Sequence, residues 1–458
     1  MSNHSPPVQK NQICIAEVAD LTHDGSGVAK IDGFPVFVKH ALPGEEIELK
    51  IIKVKKQYAF GKLLNVHTNS PDRAEPPCPI YSRCGGCSLQ HLSYEGQLRE
   101  KKKQVENVMQ RIGGFDQLTV HPVKGMTDPW RYRNKSQVPI GEEKGKVVAG
   151  FYAERSHTIV DMDACLIQHD DQDQIVSIVK QLANEHGIRA YNDHLHKGTL
   201  RHVVIRRAKS TGDVMVVLVT KNEALPHKDQ LVKAITGALP NVKSVMHNVN
   251  PKRTNVIFGD KTVCLWGEDT ITDRIKGIDF VISARSFYQV NPDQTEVLYQ
   301  QALDFAGLTG SETVIDAYCG IGTISLFLAE KARHVYGVEA VPEAIDDAKR
   351  NAKVNHIDNV TFAVGEAESL MPWWHSQGLQ PDVIVVDPPR KGCDPEMLDA
   401  MAAMKPERIV YVSCNPATLA RDMKHLSESG YRADEVQPVD MFPQTHHVEA
   451  VTVMYRDG

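Results

Sequence analysis

The sequence predicts an α/β protein in which a doubly wound, mostly parallel sheet follows a small β-barrel and a mixed α+β region. Three observations predict this arrangement. From about residue 284 onward, short apolar runs alternate with helical stretches, as in a parallel sheet with crossover helices. Near the amino terminus, short β-like runs are separated by glycine turns, as in a small barrel. Between them, strand-like and helical patterns mix without regular alternation.

Bulk composition limits the possible classes of protein. A chain of 458 residues is long enough for two or three domains, and 41% hydrophobic and 24% charged residues are ordinary for a globular protein. There is no uninterrupted apolar run of about 18 residues and no signal-peptide core, so we expect a cytoplasmic protein without membrane association. The net charge of −6 means that any nucleic-acid contact must use local basic groups, such as the lysines between residues 50 and 62.

The predicted barrel covers residues 8–67 and ends at a linker, residues 69–77, that is rich in proline and polar residues. The central region is predicted to cover residues 68–283. After a group of cysteines, it contains a predicted amphipathic helix over residues 93–112, with Leu98, Lys102, Val105, Met109 and Ile112 on one face; we expect this helix to pack on the carboxy-terminal domain.

Three cysteines lie close together at the start of the central region. Cys78, Cys84 and Cys87 have the spacing C-x5-C-x2-C. In a reducing compartment, clustered cysteines favour a metal site or catalysis over disulfides. A redox pair, a zinc site or buried free thiols are alternatives, but zinc sites usually use two close pairs. Three close cysteines and one remote cysteine suit a 4Fe–4S cluster better.

The carboxy-terminal domain is predicted over residues 284–458. Its strands are residues 314–316, 334–339, 360–362, 383–387 and 409–412, and residues 451–455 are predicted as the final strand at the edge of the sheet. Gly320 and Gly322 follow the first strand and allow the chain to approach a ligand closely. Glu339 ends the second strand, where a carboxylate accepts both ribose hydroxyls of an adenosyl cofactor, methionine-linked or nicotinamide-linked.

A cysteine at a strand end suggests covalent catalysis. Cys414 follows the apolar run of residues 409–412, in the segment SCNPATLARD, and strand ends are where ligands bind in open α/β sheets. This segment, together with DAYCGIGT at residues 316–323 and DPPR at residues 387–390, resembles the S-adenosylmethionine-dependent RNA uracil-5-methyltransferases. The resemblance runs from about residue 13 to the carboxy terminus. It implies a Rossmann-like methyltransferase domain and an OB-like TRAM barrel that binds RNA.

The resemblance also implies roles for individual residues. Cys414 would be the nucleophile and Glu449, in an H-V-E sequence, the general base, with His446 and His447 as alternative bases. Four residues would bind S-adenosylmethionine: Gln289, Tyr318, Glu339 and Asp387. Cys165 would complete the 4Fe–4S ligand set with Cys78, Cys84 and Cys87.

The branch with both a TRAM domain and a 4Fe–4S cluster modifies 23S rRNA, so the expected partner is 23S rRNA and not DNA, with no obligate protein partner evident. The dual-site enzymes of Gram-positive bacteria are similar, so two target uridines are plausible. Rival hypotheses are a tRNA T-loop uridine enzyme, expected to lack the barrel and the cluster, an RNA cytosine-5 methyltransferase, and a non-catalytic iron–sulfur RNA-binding protein. An amino-group methyltransferase is disfavoured because Arg390, and not an aromatic residue, follows Asp387-Pro388-Pro389.

Overall fold

The computed structural model describes residues 6–457. A closed five-stranded barrel with strand order β1-β2-β3-β5-β4 occupies the amino-terminal part, which confirms the predicted barrel. Alternate residues of its strands, such as Val36 and Val38, or Ile47, Leu49 and Ile51, are buried and form its core. The strands are β1 (Ile13–Leu21), β2 (Gly27–Ile31), β3 (Phe34–Val38), β4 (Glu46–Val54) and β5 (Ala59–Thr68).

The central region contains a seven-stranded sheet with strand order β13-β12-β11-β10-β7-β8-β9. Helices α2 and α3 pack on this sheet and on each other. A separate hairpin, β14–β15, packs against the carboxy-terminal domain. The elements are β7 (Lys135–Glu143), β8 (Lys146–Tyr152), β9 (Ile159–Asp161), α2 (Asp170–Glu185), β10 (Leu200–Arg207), β11 (Val214–Thr220), α3 (Lys228–Ala238), β12 (Val242–Val249), β13 (Lys261–Gly267), β14 (Thr270–Ile275) and β15 (Ile278–Ser283).

The carboxy-terminal domain is an eight-stranded sheet with strand order β18-β17-β16-β19-β20-β22-β21-β6. Strands β16–β20 are parallel, which confirms the doubly wound fold. Its elements are β6 (Thr119–Val120), α4 (Pro292–Ala306), β16 (Thr313–Ala317), α5 (Thr323–Ala329), β17 (His334–Glu339), α6 (Pro342–Val354), β18 (Val360–Val364), α7 (Ala367–Ser376), β19 (Val383–Val386), α8 (Pro395–Met404), β20 (Arg408–Ser413), α9 (Pro416–Glu428), β21 (Tyr431–Val439) and β22 (Glu449–Arg456).

The prediction of an edge position for the last strand is wrong. Strand β22 lies inside the sheet, antiparallel to both β20 and β21, and the two-residue strand β6 forms that edge. Strand β21 escapes sequence analysis because its segment, YRADEVQPV, is rich in charged residues and contains Pro438. Strand β6 comes from a part of the chain that precedes the central sheet.

The first helix, α1 (Tyr94–Val108), is followed by a π-helical turn, Met109–Gly113, and packs against α9 and β21. Its inward face differs from the predicted one. Gln97, Lys101, Val105 and Met109 are buried, so the buried lysine is Lys101 and not Lys102. Within residues 6–457, no helix is both long enough and apolar enough to cross a membrane.

Candidate functional site

A cavity of about 1200 Å³ opens at the carboxyl ends of the parallel strands of the carboxy-terminal sheet. This is where an open α/β sheet binds its ligands. All of the side chains predicted to be catalytic or to bind the cofactor line this one cavity: Gln289, Tyr318, Glu339, Asp387, Cys414 and Glu449.

The loop after β16 forms one wall of the cavity and has an unusual backbone. Tyr318, Gly320 and Gly322 all have positive φ angles, of 66°, 55° and 81°. Tyr318 is not a glycine, so its conformation is costly and depends on support from its surroundings. Its hydroxyl donates a hydrogen bond to Glu368 Oε1 at 2.8 Å. A side chain at Gly322 would lie 2.9 Å from the ring of Phe362, so the close packing of this loop requires glycine there.

Glu339 closes the same wall from the end of β17. Its carboxylate accepts hydrogen bonds from the backbone N–H groups of Gly320, at 3.2 Å, and Val341, at 3.0 Å. These bonds fix the carboxylate beside the glycine loop. Gln289 stands on the opposite side of the cavity, in the loop before α4. The backbone carbonyl of Gln289 accepts a hydrogen bond from Asn134 Nδ2 at 2.9 Å, which ties this loop to the central region.

Three carboxylic acids lie in or directly beneath the floor of the site: Asp387 and Glu449 line the cavity, and Asp316 is fully buried near Asp387. Burial raises the pKa of Asp316 and of Asp387 to about 7, and burial together with the nearby charge of Asp387 raises the pKa of Glu449 to about 8. Asp316 Oδ1 has no hydrogen-bond partner within residues 6–457. Carboxylic acids that repel one another in a poorly solvated site are stabilised in their charged form by a bound cation. A cation bound in the cavity would therefore lower the pKa of Asp387 and of Glu449.

Cys414 and Glu449 lie side by side because of strand register. In the antiparallel pair β20–β22, the last paired residues at this end are Ser413 and Ala450. Cys414 follows Ser413 directly after β20, and Glu449 precedes Ala450 at the start of β22, so the two side chains are close enough for the charge of Glu449 to act on the Cys414 thiol. This juxtaposition depends on the pairing of β22 with β20, because a strand elsewhere in the sheet could not supply it.

The surroundings of Cys414 hold its thiol in the protonated form. Burial and the charges of Glu449 and Asp387 raise its pKa to about 11, while the cation of Arg390 acts in the opposite direction. Asn415 caps α9 and donates a hydrogen bond from its side chain to the Arg390 carbonyl at 3.1 Å. The loops that carry Asp387 and Cys414 are thereby held together.

The two histidines before Glu449 have different environments. His447 lines the cavity, and burial lowers its pKa to about 4. His446 instead has its Nδ1 atom 3.1 Å from Ser88 Oγ, in the segment that follows the clustered cysteines.

All four predicted cluster ligands line a second cavity, of about 230 Å³: Cys78, Cys84, Cys87 and Cys165. Across residues 6–457, no group of three or more His, Cys, Asp or Glu side chains is placed to hold a single metal ion. The two observations are compatible, because a single ion needs its ligands within about 2.3 Å of one point whereas a cluster spreads its thiolates over several metal atoms.

The walls of this second cavity suit an anionic, sulfur-rich group. Burial raises the pKa of both Cys87 and Cys165 to about 12, so thiolates there need metal ions to compensate their charge. Three polar atoms on the wall have no hydrogen-bond partner within the described residues: Gln90 Oε1, Ser136 Oγ and Gln168 Oε1. A serine hydroxyl can donate a hydrogen bond to a group in the cavity. A glutamine can do so when its side-chain amide is rotated by about 180°, which exchanges the positions of the O and N atoms. The residues present therefore fit a 4Fe–4S cluster.

Residues 440–448 join β21 to β22, and we call them the β21–β22 connection. The contacts between this connection and α1 were not predicted from the sequence. Lys101 forms a fully buried ion pair with Asp440, and Gln97 forms reciprocal hydrogen bonds with Gln444. The only sequence signal was a lysine and a glutamine one turn apart on an amphipathic helix, and their partners lie more than 300 residues away.

Comparison with known proteins gives consistent results. The profile of the tRNA (Uracil-5-)-methyltransferase family matches residues 93–457, and that of the TRAM domain matches residues 7–64. An uncharacterized RNA methyltransferase of Halalkalibacterium halodurans is 62% identical, over 99% of each chain, and one of Bacillus cereus is 59% identical, over 99% of this chain and 98% of the relative.

Among solved structures, the fold resembles the tRNA (uracil-54, C5)-methyltransferase of Pyrococcus abyssi in complex with S-adenosyl-L-homocysteine. The TM-score is 0.77 and the sequence identity 30%, over 96% of this chain and 100% of that chain. This coverage extends into the barrel, so the expectation that tRNA enzymes lack this domain is wrong for the P. abyssi protein.

Proposed function

Because the chain belongs to the tRNA (Uracil-5-)-methyltransferase family, we propose that it transfers a methyl group from S-adenosylmethionine to carbon 5 of uridine in 23S rRNA, in the cytoplasm. The observation that carries the chemistry is the single cavity that collects Cys414, Glu449, Asp387, Glu339, Tyr318 and Gln289. The positive charge of the sulfonium suits the acidic floor of that cavity.

The reaction needs a nucleophile because carbon 5 of uracil is not reactive enough. The Cys414 thiol loses its proton to solvent, and the thiolate adds to carbon 6 while the electron pair of the C5–C6 double bond shifts toward the carbonyl at carbon 4, which makes carbon 5 nucleophilic. Carbon 5 then takes the methyl group from S-adenosylmethionine, whose methyl–sulfur bond breaks to leave S-adenosylhomocysteine. Glu449 then removes the proton from carbon 5, and the bond between carbon 6 and sulfur breaks to release the RNA. A thiol directly after β20 and a neighbouring carboxylate at the start of β22 can serve both steps.

We propose 23S rRNA as the target because of four cysteines: Cys78, Cys84, Cys87 and Cys165. In the family that the sequence resembles, a 4Fe–4S cluster held by such cysteines is expected in the rRNA enzymes and not in the tRNA enzymes. All four cysteines line one cavity, which is compatible with that feature. The second candidate is tRNA, favoured by the likeness to the P. abyssi tRNA enzyme. The barrel does not discriminate between them.

A parallel assay separates the two substrates. With methyl-labelled S-adenosylmethionine, we expect label in unmodified 23S rRNA and not in unmodified tRNA, recovered as 5-methyluridine after digestion. Label in tRNA alone would show that the protein is a tRNA-modifying enzyme of the family. Labelled 5-methylcytidine would overturn the choice of base, and no label in either RNA would favour a non-catalytic RNA-binding protein.

We further propose that Cys78, Cys84, Cys87 and Cys165 hold a 4Fe–4S cluster that supports the fold and the position of the RNA. We expect protein purified without oxygen to contain iron and sulfide and to show the visible absorbance of an iron–sulfur cluster. Cys87→Ala should lose the iron, the sulfide and the visible absorbance. Cys264→Ala, which changes an exposed cysteine of β13, should keep all three. Native protein free of iron under these conditions would contradict the proposal.

A further inference from the structure

The β21–β22 connection is buried although it has no regular secondary structure. Asp440, Met441, Gln444, Thr445 and Val448 are all less than 9% exposed. Its backbone N–H and C=O groups therefore need partners within the protein, since a buried unpaired group costs free energy. Many of these partners lie outside the carboxy-terminal sheet, in α1 and in the segment that follows Cys87.

Gln97 of α1 provides the central contact. Its side-chain oxygen accepts a hydrogen bond from the Gln444 backbone N–H at 3.0 Å, and its Nε2 donates to Gln444 Oε1 at 3.0 Å. The same nitrogen contacts the carbonyls of Leu89 and Leu92, at 3.1 and 2.9 Å. Gln97 is 1% exposed, so water does not compete for these bonds.

Gln444 needs this support because its backbone is strained. Its φ angle is 69°, in the left-handed region that glycine adopts freely and glutamine does not. Its carbonyl accepts hydrogen bonds from the backbone N–H groups of Ser88 and Leu89, both at 3.0 Å. Both backbone polar groups and the side chain of Gln444 are therefore held by residues 88–97.

A second contact one helical turn along α1 holds the start of the connection. Lys101 Nζ lies 2.5 Å from Asp440 Oδ1 and 3.2 Å from the Phe442 carbonyl. The other oxygen of Asp440 accepts a hydrogen bond from the Tyr94 hydroxyl at 2.8 Å. The connection is thereby fixed at both Asp440 and Gln444, and it leads directly into Glu449.

We propose that Gln97 is a positioning residue for the Glu449 carboxylate: by holding Gln444 in its left-handed conformation, it fixes the β21–β22 connection and the base that follows it. This inference rests on the proposed function, in which Glu449 removes the carbon-5 proton after methyl transfer. Because proton transfer depends on sub-ångström placement, a shift of the connection slows release of the RNA without preventing attack by Cys414.

The test uses Gln97→Met in the full-length chain with whichever RNA the native protein methylates. Methionine keeps the volume and removes all four contacts of the amide, the two with Gln444 and those with the Leu89 and Leu92 carbonyls. We expect release of the methylated RNA to slow by about 10-fold or more, so that a covalent protein–RNA adduct carrying the methyl label survives on a denaturing gel. First-turnover methyl transfer and S-adenosylmethionine affinity should stay within about 3-fold of native, because Gln97 does not line the cofactor cavity.

Two further variants separate positioning from a general loss of stability. Asn250→Leu is the matched control for lost buried hydrogen bonds, because Asn250 is 1% exposed, lines neither cavity, and donates from Nδ2 to the carbonyls of Val256 and Ile257. It should release RNA at the native rate. Gln444→Gly should restore most of the release rate lost in Gln97→Met, since glycine adopts a positive φ without support.

The outcomes are distinguishable from failure of the proposed function. If Glu449→Gln accumulates the adduct and Gln97→Met does not, the positioning role is wrong and the proposed function stands. If Gln97→Met lowers methyl transfer and release equally, or if Asn250→Leu slows release as much as Gln97→Met does, Gln97 acts only on stability. If neither Glu449→Gln nor Gln97→Met accumulates an adduct, the proposed role of Glu449 itself fails.

Discussion

Replacing Cys414 with alanine is expected to abolish methyl transfer, with a loss of at least about 10⁴-fold in turnover. Without the Cys414 thiol, the group proposed to add to carbon 6 of uracil is missing, and carbon 5 stays too weakly nucleophilic to take the methyl group. Binding of S-adenosylmethionine, measured by calorimetry, should be nearly unchanged, because Cys414 follows β20 whereas Tyr318 and Glu339, two of the proposed cofactor-binding residues, follow β16 and end β17.

The control for this experiment is Cys264→Ala, which changes an exposed thiol outside the cavity and should keep native turnover. Protein incubated with S-adenosylmethionine and RNA should form a covalent complex that requires Cys414. Normal turnover by Cys414→Ala would rule out the covalent mechanism. Loss of cofactor binding together with turnover would show that the substitution disturbs the cavity and not only the nucleophile.

The sequence predicted the parallel part of the fold well because its signals are local. Strands β16, β17, β19 and β20 are short apolar runs, each buried between helices, and such runs are recognisable without knowledge of their neighbours. Cys414 and Asp387 were found for the same reason, since each directly follows one of these runs. A residue at the carboxyl end of a parallel strand is predicted, from that position alone, to lie at the ligand-binding edge of the sheet.

The antiparallel part of the sheet could not be predicted in this way. The apolar run of residues 450–454, interrupted only by Thr452, indicates a buried strand, but nothing local in it shows that β22 lies between β20 and a charged strand, β21. The pairing of β22 with β20 nevertheless decides the chemistry, because it brings Glu449 next to Cys414. The contacts of Gln97 and Lys101 depend on the same long-range arrangement and left no sequence pattern to find.

The second large effect is expected from Glu449→Gln, which should lower steady-state turnover by about 10²- to 10⁴-fold. Glutamine has nearly the same shape but cannot accept the carbon-5 proton. Attack by Cys414 and methyl transfer should still occur, so that the methylated RNA stays covalently bound to the protein. Denaturing electrophoresis with labelled S-adenosylmethionine measures this adduct directly. A variant that turns over normally would exclude Glu449 as the base.

The pH dependence of RNA release identifies the base among the candidates near the cavity. Burial and the charge of Asp387 raise the pKa of Glu449 to about 8, and only the ionised carboxylate can accept a proton. Release from a preformed adduct should therefore be constant above about pH 8 and fall about tenfold for each pH unit below it. Burial lowers the pKa of His447 to about 4, so a histidine base would be deprotonated throughout this range and would give a flat profile. A profile that falls below pH 8 in the native protein and becomes flat in Glu449→Gln would assign the removal of the carbon-5 proton to Glu449. The variant removes the ionisable carboxyl group of Glu449 and keeps the other ionisable side chains of the cavity.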